Sequence, residues 1–413
     1  MTPIDLGHHG DTEAQPGLID FAVNVAVPEP PAWLRLELEI ALDEVARYPD
    51  VAPAVEALAR LHGCPTSSVL VTNGAAEAFT LIARARRWRK PLVVHPQFTE
   101  PESALQASGH VVGRLILEQD NAFQDSDVNG LGGLGGLGGL GGLGGLGGLG
   151  GLGVLGGLGG LGGLGGFALD PGRVPEDADL VVVGNPTNPT SRLHPRASIL
   201  ALLRPGRLVV VDEAFMDVVG SQRDSILDDA VQREGLLVIR SLTKTFGLAG
   251  IRAGYLVGSS DVIADCAFTQ PHWSVNSLAV AAVVACAGAR GQEHTRAVSD
   301  DMSLRLGHLV ARLTEAGLDV VADPAGPFVL VHHPHAAALR EGLRRRGFAV
   351  RRGDTFPGLG PQWLRIAARE PAMTDALVAA IVQELAVIND DRANDDRADQ
   401  DRAATAQETE HLV

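Results

Sequence analysis

Seven short apolar runs in the first two thirds of this sequence constrain its fold more than any other feature: Val69 to Thr72, Leu92 to His95, Val111 to Leu117, Leu180 to Val183, Leu208 to Val211, Leu236 to Ile239 and Gly254 to Val257. Most are apolar throughout rather than alternating, the pattern of strands covered on both faces. Helix-like stretches such as Glu77 to Arg87 and Ile199 to Leu203 lie between several of them. That alternation predicts an α/β fold with a mostly parallel sheet and helices on both sides. Ligands of such sheets collect beyond the carboxyl ends of the strands, so the polar residues after each run are where chemistry is sought.

Farther along, Ser277 to Ala289 and Val298 to Ala316 read as helices, with strand-like segments around Phe328 to Val331 and Phe348 to Arg351 and a closing helix from Met373 to Val387. The expected organisation is an N-terminal arm joining the small domain (1–40), a large domain (41–265), a smaller α/β domain (266–388) and a disordered acidic tail (389–413). The tail repeats Asp, Arg, Asn and Gln and has too little apolar surface to offset its ordering entropy.

Within the large domain, residues 130–166 form an insertion: Leu-Gly-Gly repeats from Leu131 to Gly166, broken only by Val154. Two glycines in three make ordering costly, so a flexible surface segment is predicted. A phosphate-binding loop would need a strand before it, a helix after it and, in the Walker form, a Lys-Ser/Thr ending, none of which is present.

The 413 residues, 45% of them hydrophobic, can bury a sizeable core. A formal charge of −16 argues against a general nucleic-acid binder, which needs a basic face to displace counterions. The first residues lack the basic and apolar segments of a secretory signal, and the longest apolar run, Leu278 to Ala287, is about half of what a bilayer requires. Cys64, Cys266 and Cys286 show no paired spacing, which fits a reducing cytoplasm without disulfides or a zinc site. His332-His333-Pro334-His335 reads as a strand end entering a turn rather than a metal site, and Arg344 to Arg346 as a solvated helix face.

Three strand ends carry candidate chemistry. Gly184 to Thr190 (Gly-Asn-Pro-Thr-Asn-Pro-Thr) holds two prolines that fix a turn and leave Asn188 free to present its amide. Asp212 sits where a buried carboxylate is costly unless paired. An Asp-Glu after an apolar run also resembles a magnesium-binding Walker B strand, but no Walker A motif accompanies it. Ser241 to Tyr255 follows the run Leu236 to Ile239 and presents Lys244 among hydroxyls, with Arg252 eight residues on. Desolvation at a strand end lowers a lysine's pKa and makes its amine nucleophilic towards an aldehyde, while a hydroxyl and a fixed cation suit a phosphate.

With these residues in place the sequence resembles the fold-type I, pyridoxal 5'-phosphate (PLP) dependent enzymes of the class I/II aminotransferase family, over nearly the whole chain outside the repeat and the tail. The resemblance implies that Lys244 holds the cofactor covalently and shuttles the proton, and that Asp212 pairs with the pyridine nitrogen. It assigns Asn188 to the ring's 3'-oxygen and Phe98 to stacking on the ring. Ser241, Arg252 and the backbone of Gly74, Ala75 and Ala76 would hold its phosphate. It also implies a homodimer in which Tyr48 reaches the partner's cofactor. Two positions depart from the family pattern: Ser191 stands where glycine is usual, and Phe215 replaces a tyrosine whose hydroxyl normally also bonds the 3'-oxygen.

The segment from Leu6 to Asp11, the run ending at Asn24, Phe215 and Trp273 to Asn276 resemble the threonine-phosphate decarboxylase (CobC-type) branch of cobalamin biosynthesis, with histidinol-phosphate aminotransferases next to it. Either branch implies a small phosphorylated amino-acid or amine substrate, with no nucleic acid or membrane as partner. Its contacts would be His8, Asn24, Arg351 and Arg365, the arginines forming a clamp to which Arg352 is a weaker candidate. A PLP-binding protein without catalysis is the remaining class, although no appended helix-turn-helix is present.

Overall fold

The structure is a computed structural model that describes residues 6–8, 10–119, 165–220 and 222–410. In chain order its elements are β1 (Ile19–Phe21), α1 (Ala32–Ala41), α2 (Ala52–His62), β2 (Val69–Asn73), α3 (Gly74–Ala85), β3 (Pro91–His95), α4 (Glu100–Ala107) and β4 (Gly113–Ile116). They continue with β5 (Leu180–Gly184), α5 (Arg196–Leu200), β6 (Leu208–Asp212), α6 (Leu227–Gln232), β7 (Leu236–Ser241), β8 (Ala253–Gly258), α7 (Ser260–Thr269) and α8 (Ser277–Ala287). The remainder is α9 (Ala289–Glu315), β9 (Asp319–Val320), β10 (Phe328–His332), α10 (Ala336–Arg345), β11 (Phe348–Arg352), β12 (Trp363–Ala367) and α11 (Pro371–Glu410). Nearly all of the Leu-Gly-Gly repeat lies outside the described residues.

All seven apolar runs are strands of one sheet, in the order β2-β8-β7-β6-β5-β3-β4. β4, β3, β5, β6 and β7 are mutually parallel, and β8 runs antiparallel between β7 and β2. Every residue of β3, β5, β7 and β8 is buried, as uninterrupted apolar runs require. The fold is therefore α/β, as the sequence predicts.

A second sheet, ordered β1-β11-β12-β10-β9, carries the smaller unit, with β1 from the N-terminal arm parallel to β11. Phe215, at the end of the large sheet, packs edge-on against Phe328 of β10 at 5.1 Å and belongs to the same core as Leu339, Ile366 and Ile381. The two units are thus joined through apolar contact at Phe215.

Three expectations change. The boundary at 265 cuts through α7, which packs on α3, and α8 packs on α1 and α2 with Ala279, Ala282 and Val283 buried, so the large unit extends to Ala287. The segment read as a disordered tail continues α11 as far as Glu410. The first half of that helix is docked through Leu377, Val378 and Ile381, so the polar continuation, richest in Asp and Ala, needs no nucleus of its own. Finally, Arg345 and Arg346 are ion-paired with the buried Glu384 of α11 rather than simply solvated.

Candidate active site

β5 and β6 finish level, Gly184 in register with Asp212, while β7 runs past Ile239, the partner of Asp212, to Ser241. Beyond them lies a cavity of about 470 Å³. All of the residues expected at the site line it except Gly74 and Tyr48. Lys244, in the turn after β7, directs Nζ to Asn24 Oδ1 at 3.0 Å and stands 5.8 Å from the Phe215 ring. Burial, reinforced by Arg365 and Arg252, pushes its pKa down to about 8 against the pull of Asp212. Burial pushes Asp212 up to about 6, opposed by the bond that Oδ1 accepts from Ala214 N at 3.0 Å. An amine whose pKa is drawn down towards neutrality suits Lys244 to proton transfer.

One end of the cavity is built for an anion. Glu77 in the first turn of α3 reaches back to accept from Asn73 N at 2.5 Å, which fixes the helix start. Gly74 has φ +75, and a Cβ there would stand 2.6 Å from Arg252 Nη2. A Cβ on Gly254 would stand 2.8 Å from Gly74 C and 2.9 Å from Ala75 N. Only glycines at both positions let the guanidinium and the backbone of the helix start come this close. Arg252 itself has φ +64, a costly conformation for a long side chain, and its Nη1 donates to Ala249 O at 3.1 Å. With Ser241, Ala75 and Ala76 alongside, free first-turn amides and a fixed cation make a cradle that fits a phosphoryl group. Gly74 contributes backbone and space, which is why it is absent from the lining.

The opposite wall comes from the small sheet and the N-terminal arm. Arg351 of β11 and Arg365 of β12 are directly opposite each other across the antiparallel ladder, and both are buried. Arg365 donates from Nη1 to Asn188 Oδ1 at 2.6 Å and from Nη2 to Ala22 O, and lies over Phe328. Arg351 donates from Nη2 to His8 O at 2.8 Å and to Thr355 Oγ1 at 2.6 Å, over the Phe356 ring. Arg365 Nε and Arg351 Nη1 are buried donors without a hydrogen-bond partner among the described residues. Burial pulls Arg365 down to about 9, with Arg351 adding to the effect, and pulls Arg351 down to about 10. Arg352 instead faces Asp354 and takes no part.

Tyr48 is 77% exposed and stacks on Trp273 at 4.4 Å, outside the cavity. Ser191 adopts φ +62, as the glycine it replaces would; its Oγ accepts from Gly326 N at 2.7 Å, offsetting part of the strain. His332 ends β10 as expected, but a carboxylate absent from its sequence neighbourhood arrives across the ladder, Asp319 Oδ2 at 3.6 Å. No His, Cys, Asp or Glu cluster among the described residues could hold a metal. Sequence reasoning missed Val23, Val25, Thr99 and Phe356 in the cavity wall, and Glu13 behind it. Val23 and Val25 flank Asn24 and were within reach of inspection; Phe356 and Glu13 carry no local signal.

The sequence model for aminotransferase class I and II matches residues 170–385. A histidinol-phosphate aminotransferase of Mycobacterium tuberculosis is 40% identical over 379 residues, 91% of this chain and 90% of the relative. A threonine-phosphate decarboxylase of Salmonella typhimurium is 27% identical over 372 residues, 88% and 90% of the two chains. The crystal structure of a histidinol-phosphate aminotransferase from Sinorhizobium meliloti, in complex with pyridoxal-5'-phosphate, superposes with a TM-score of 0.69 at 19% identity, covering 90% of this chain and 91% of that one. The chain belongs to the class I and II aminotransferase family.

Proposed function

We propose that this chain is a PLP enzyme acting on a small phosphorylated amino acid, and that its reaction is the decarboxylation of threonine phosphate. The carrying observation is the cross-strand pair Arg351 and Arg365, two buried like charges directly opposite each other, each with an unpartnered donor. Such a pair is unfavourable until a multiply charged anion joins it, and a phosphate dianion satisfies both forks. With the phosphate there, the remaining cavity guanidinium, Arg252, belongs to the cofactor cradle. No guanidinium among the described cavity residues would then grip the substrate carboxylate, which would be left free to depart.

PLP, when bound, supplies an electron sink for the bond broken at the substrate's Cα. Lys244 would hold it covalently, and its amine when free, with a pKa of about 8, would carry the proton to the substrate's Cα. Asp212 would pair with the protonated pyridine nitrogen. Asn188 spends Oδ1 on Arg365 and keeps Nδ2 as a donor for the 3'-oxygen. Ser241, Arg252 and the backbone of Gly74 to Ala76 hold the cofactor phosphate, and Phe98 stacks on the ring. Val23, Phe215 and Phe356 exclude water. His8 and Asn24, from the arm, complete the substrate side.

Transamination of histidinol phosphate is the second reading, favoured by the 40% identity to relatives of that name. It uses the same phosphate wall but loses hydrogen from Cα. We also read the protein as a homodimer: Leu36, Ile40, Leu42 and Val45 are exposed on and just after α1, near Tyr48 in sequence, an apolar face that a second copy would cover. Sedimentation at micromolar concentration tests this, and a monomer would refute it.

The test of function is an absorbance spectrum of the wild type and Lys244→Ala, followed by product analysis. A cofactor band altered by the mutation, with carbon dioxide and aminopropanol phosphate formed from threonine phosphate, supports the decarboxylase. Amino transfer from histidinol phosphate to 2-oxoglutarate selects the second reading.

A further inference from the structure

We propose that Glu13 is a positioning residue for the anion-binding wall: it fastens the N-terminal arm to the small unit and fixes the aim of His8 and Arg351 on the substrate's phosphate. The inference rests on the proposed phosphorylated substrate and adds the residue that organises its recognition.

Glu13 does not line the cavity, yet its side chain is 3% exposed, and a buried carboxylate persists only where cations meet it. Oε2 accepts from Arg340 Nη2 at 2.8 Å and lies 3.9 Å from Arg344 Nη1, both on α10 and one turn apart. Oε1 lies 3.1 Å from His8 Nε2 and 3.8 Å from Arg351 Nη1. The second distance is too long for a hydrogen bond but close enough for strong attraction in a buried setting. Arg351 Nη1 is therefore held in place electrostatically while its hydrogen-bonding capacity stays unspent.

The arm is fixed from the other side as well. Arg351 Nη2 donates to His8 O at 2.8 Å, and Thr99 Oγ1 donates to Leu6 O at 2.7 Å. Beyond these two points along the arm, Glu13 is its charged link to α10. Burial alone would raise its pKa, but Arg340, His8 and Arg351 outweigh that and hold it below the usual carboxylate range. Loss of this charge would leave the His8 ring its contact with Thr12 Oγ1 at 3.1 Å but not its ionic partner, and leave Arg351 and Arg340 mutually repulsive, loosening the wall while leaving Lys244, Asp212 and the phosphate cradle untouched.

The experiment compares wild type, Glu13→Gln, Glu13→Asp and Arg340→Gln as holoenzymes. The substrate is whichever of threonine phosphate and histidinol phosphate turns over, measured beside its unphosphorylated counterpart. For Glu13→Gln we expect KM for the phosphorylated substrate to rise about tenfold, the size of one weakened charge-assisted contact. We expect kcat and the cofactor absorbance to stay unchanged, KM for the unphosphorylated counterpart to stay unchanged, Glu13→Asp to recover most of the loss, and Arg340→Gln to show a smaller rise. Equal changes in KM for both substrates, or a fall in kcat at constant KM, would overturn the inference. A wild type that does not prefer the phosphorylated substrate would overturn the phosphate reading itself, and this inference with it. Preference retained in wild type and undiminished in Glu13→Gln would overturn the role of Glu13 alone.

Discussion

Two buried arginine sites in this molecule are built oppositely. Beneath the floor of the cavity, Arg240 on β7 is paired with Glu213 at 2.9 Å and Asp217 at 2.6 Å and donates to Ser225 Oγ at 3.1 Å. Its neighbours outweigh the burial and raise its pKa above the usual arginine value. In the wall, Arg351 and Arg365 face each other, keep unpartnered donors and are pulled down to about 10 and 9. Arg240 is hydrogen-bonded to its carboxylates and holds the fold together, whereas Arg351 has Glu13 only at 3.8 Å and, like Arg365, keeps a donor for a ligand.

That contrast can be broken most sharply at Arg240. Arg240→Met leaves Glu213 and Asp217 buried without their cation, so we expect a loss of about 3–5 kcal/mol in stability, read as a lowered midpoint in denaturant. An unchanged midpoint would mean that the floor is not a structural site.

Arg351→Met and Arg365→Met should do the reverse. Each removes half of a repulsive pair, so thermal stability without ligand is expected to hold or rise. KM for the phosphorylated substrate should rise about tenfold to a hundredfold, the loss of a bidentate charged contact. A fall in stability equal to that of Arg240→Met would erase the distinction.

The pH dependence sharpens it further. In cofactor-free protein the rate at which Lys244 reacts with an aldehyde follows its neutral amine. Its pKa lies at about 8 rather than the ordinary 10.5, so the rate should climb through pH 8 and level off well below pH 10. Burial is the main cause and Arg365 the next, so Arg365→Met should move the midpoint upward. A midpoint unmoved by that change would show that the wall's charge does not reach the lysine.

The smallest effect is expected at the Leu-Gly-Gly repeat. Gln119 and Gly166 are bridged antiparallel, and Phe167 N donates to Glu118 O at 2.8 Å, so the segment leaves and rejoins the fold at one point. Joining residue 119 to residue 166 through a two-residue turn should leave activity and melting temperature nearly unchanged, since loop length alters closure entropy only slowly. Loss of activity or of a dimer on deletion would assign the repeat a role.

The legibility of the sequence follows the same division. Asp212, Ser241 and Lys244 each follow an apolar run within a few residues, so a strand end and its chemistry could be read together. The edge elements β1 and β9 were not read as strands because two or three residues give too little periodicity, and the central β12 was not because Arg365 interrupts its apolar run. Glu13 was missed because its cation partner Arg340 is 327 positions away. The helix continuing to Glu410 was missed because composition describes an isolated segment, whereas here the preceding turns are already docked.

The sequence alone determined the α/β class, the buried strands of the large sheet and the polar residues at their ends, because these depend on local periodicity and on residues adjacent in the chain. The tertiary structure alone decided that Arg351 and Arg365 stand opposite each other, that Asn24 reaches Lys244, and that Glu13 lies behind the wall. Those depend on strand register and on burial, which bring distant charges together in a medium where their interactions become strong.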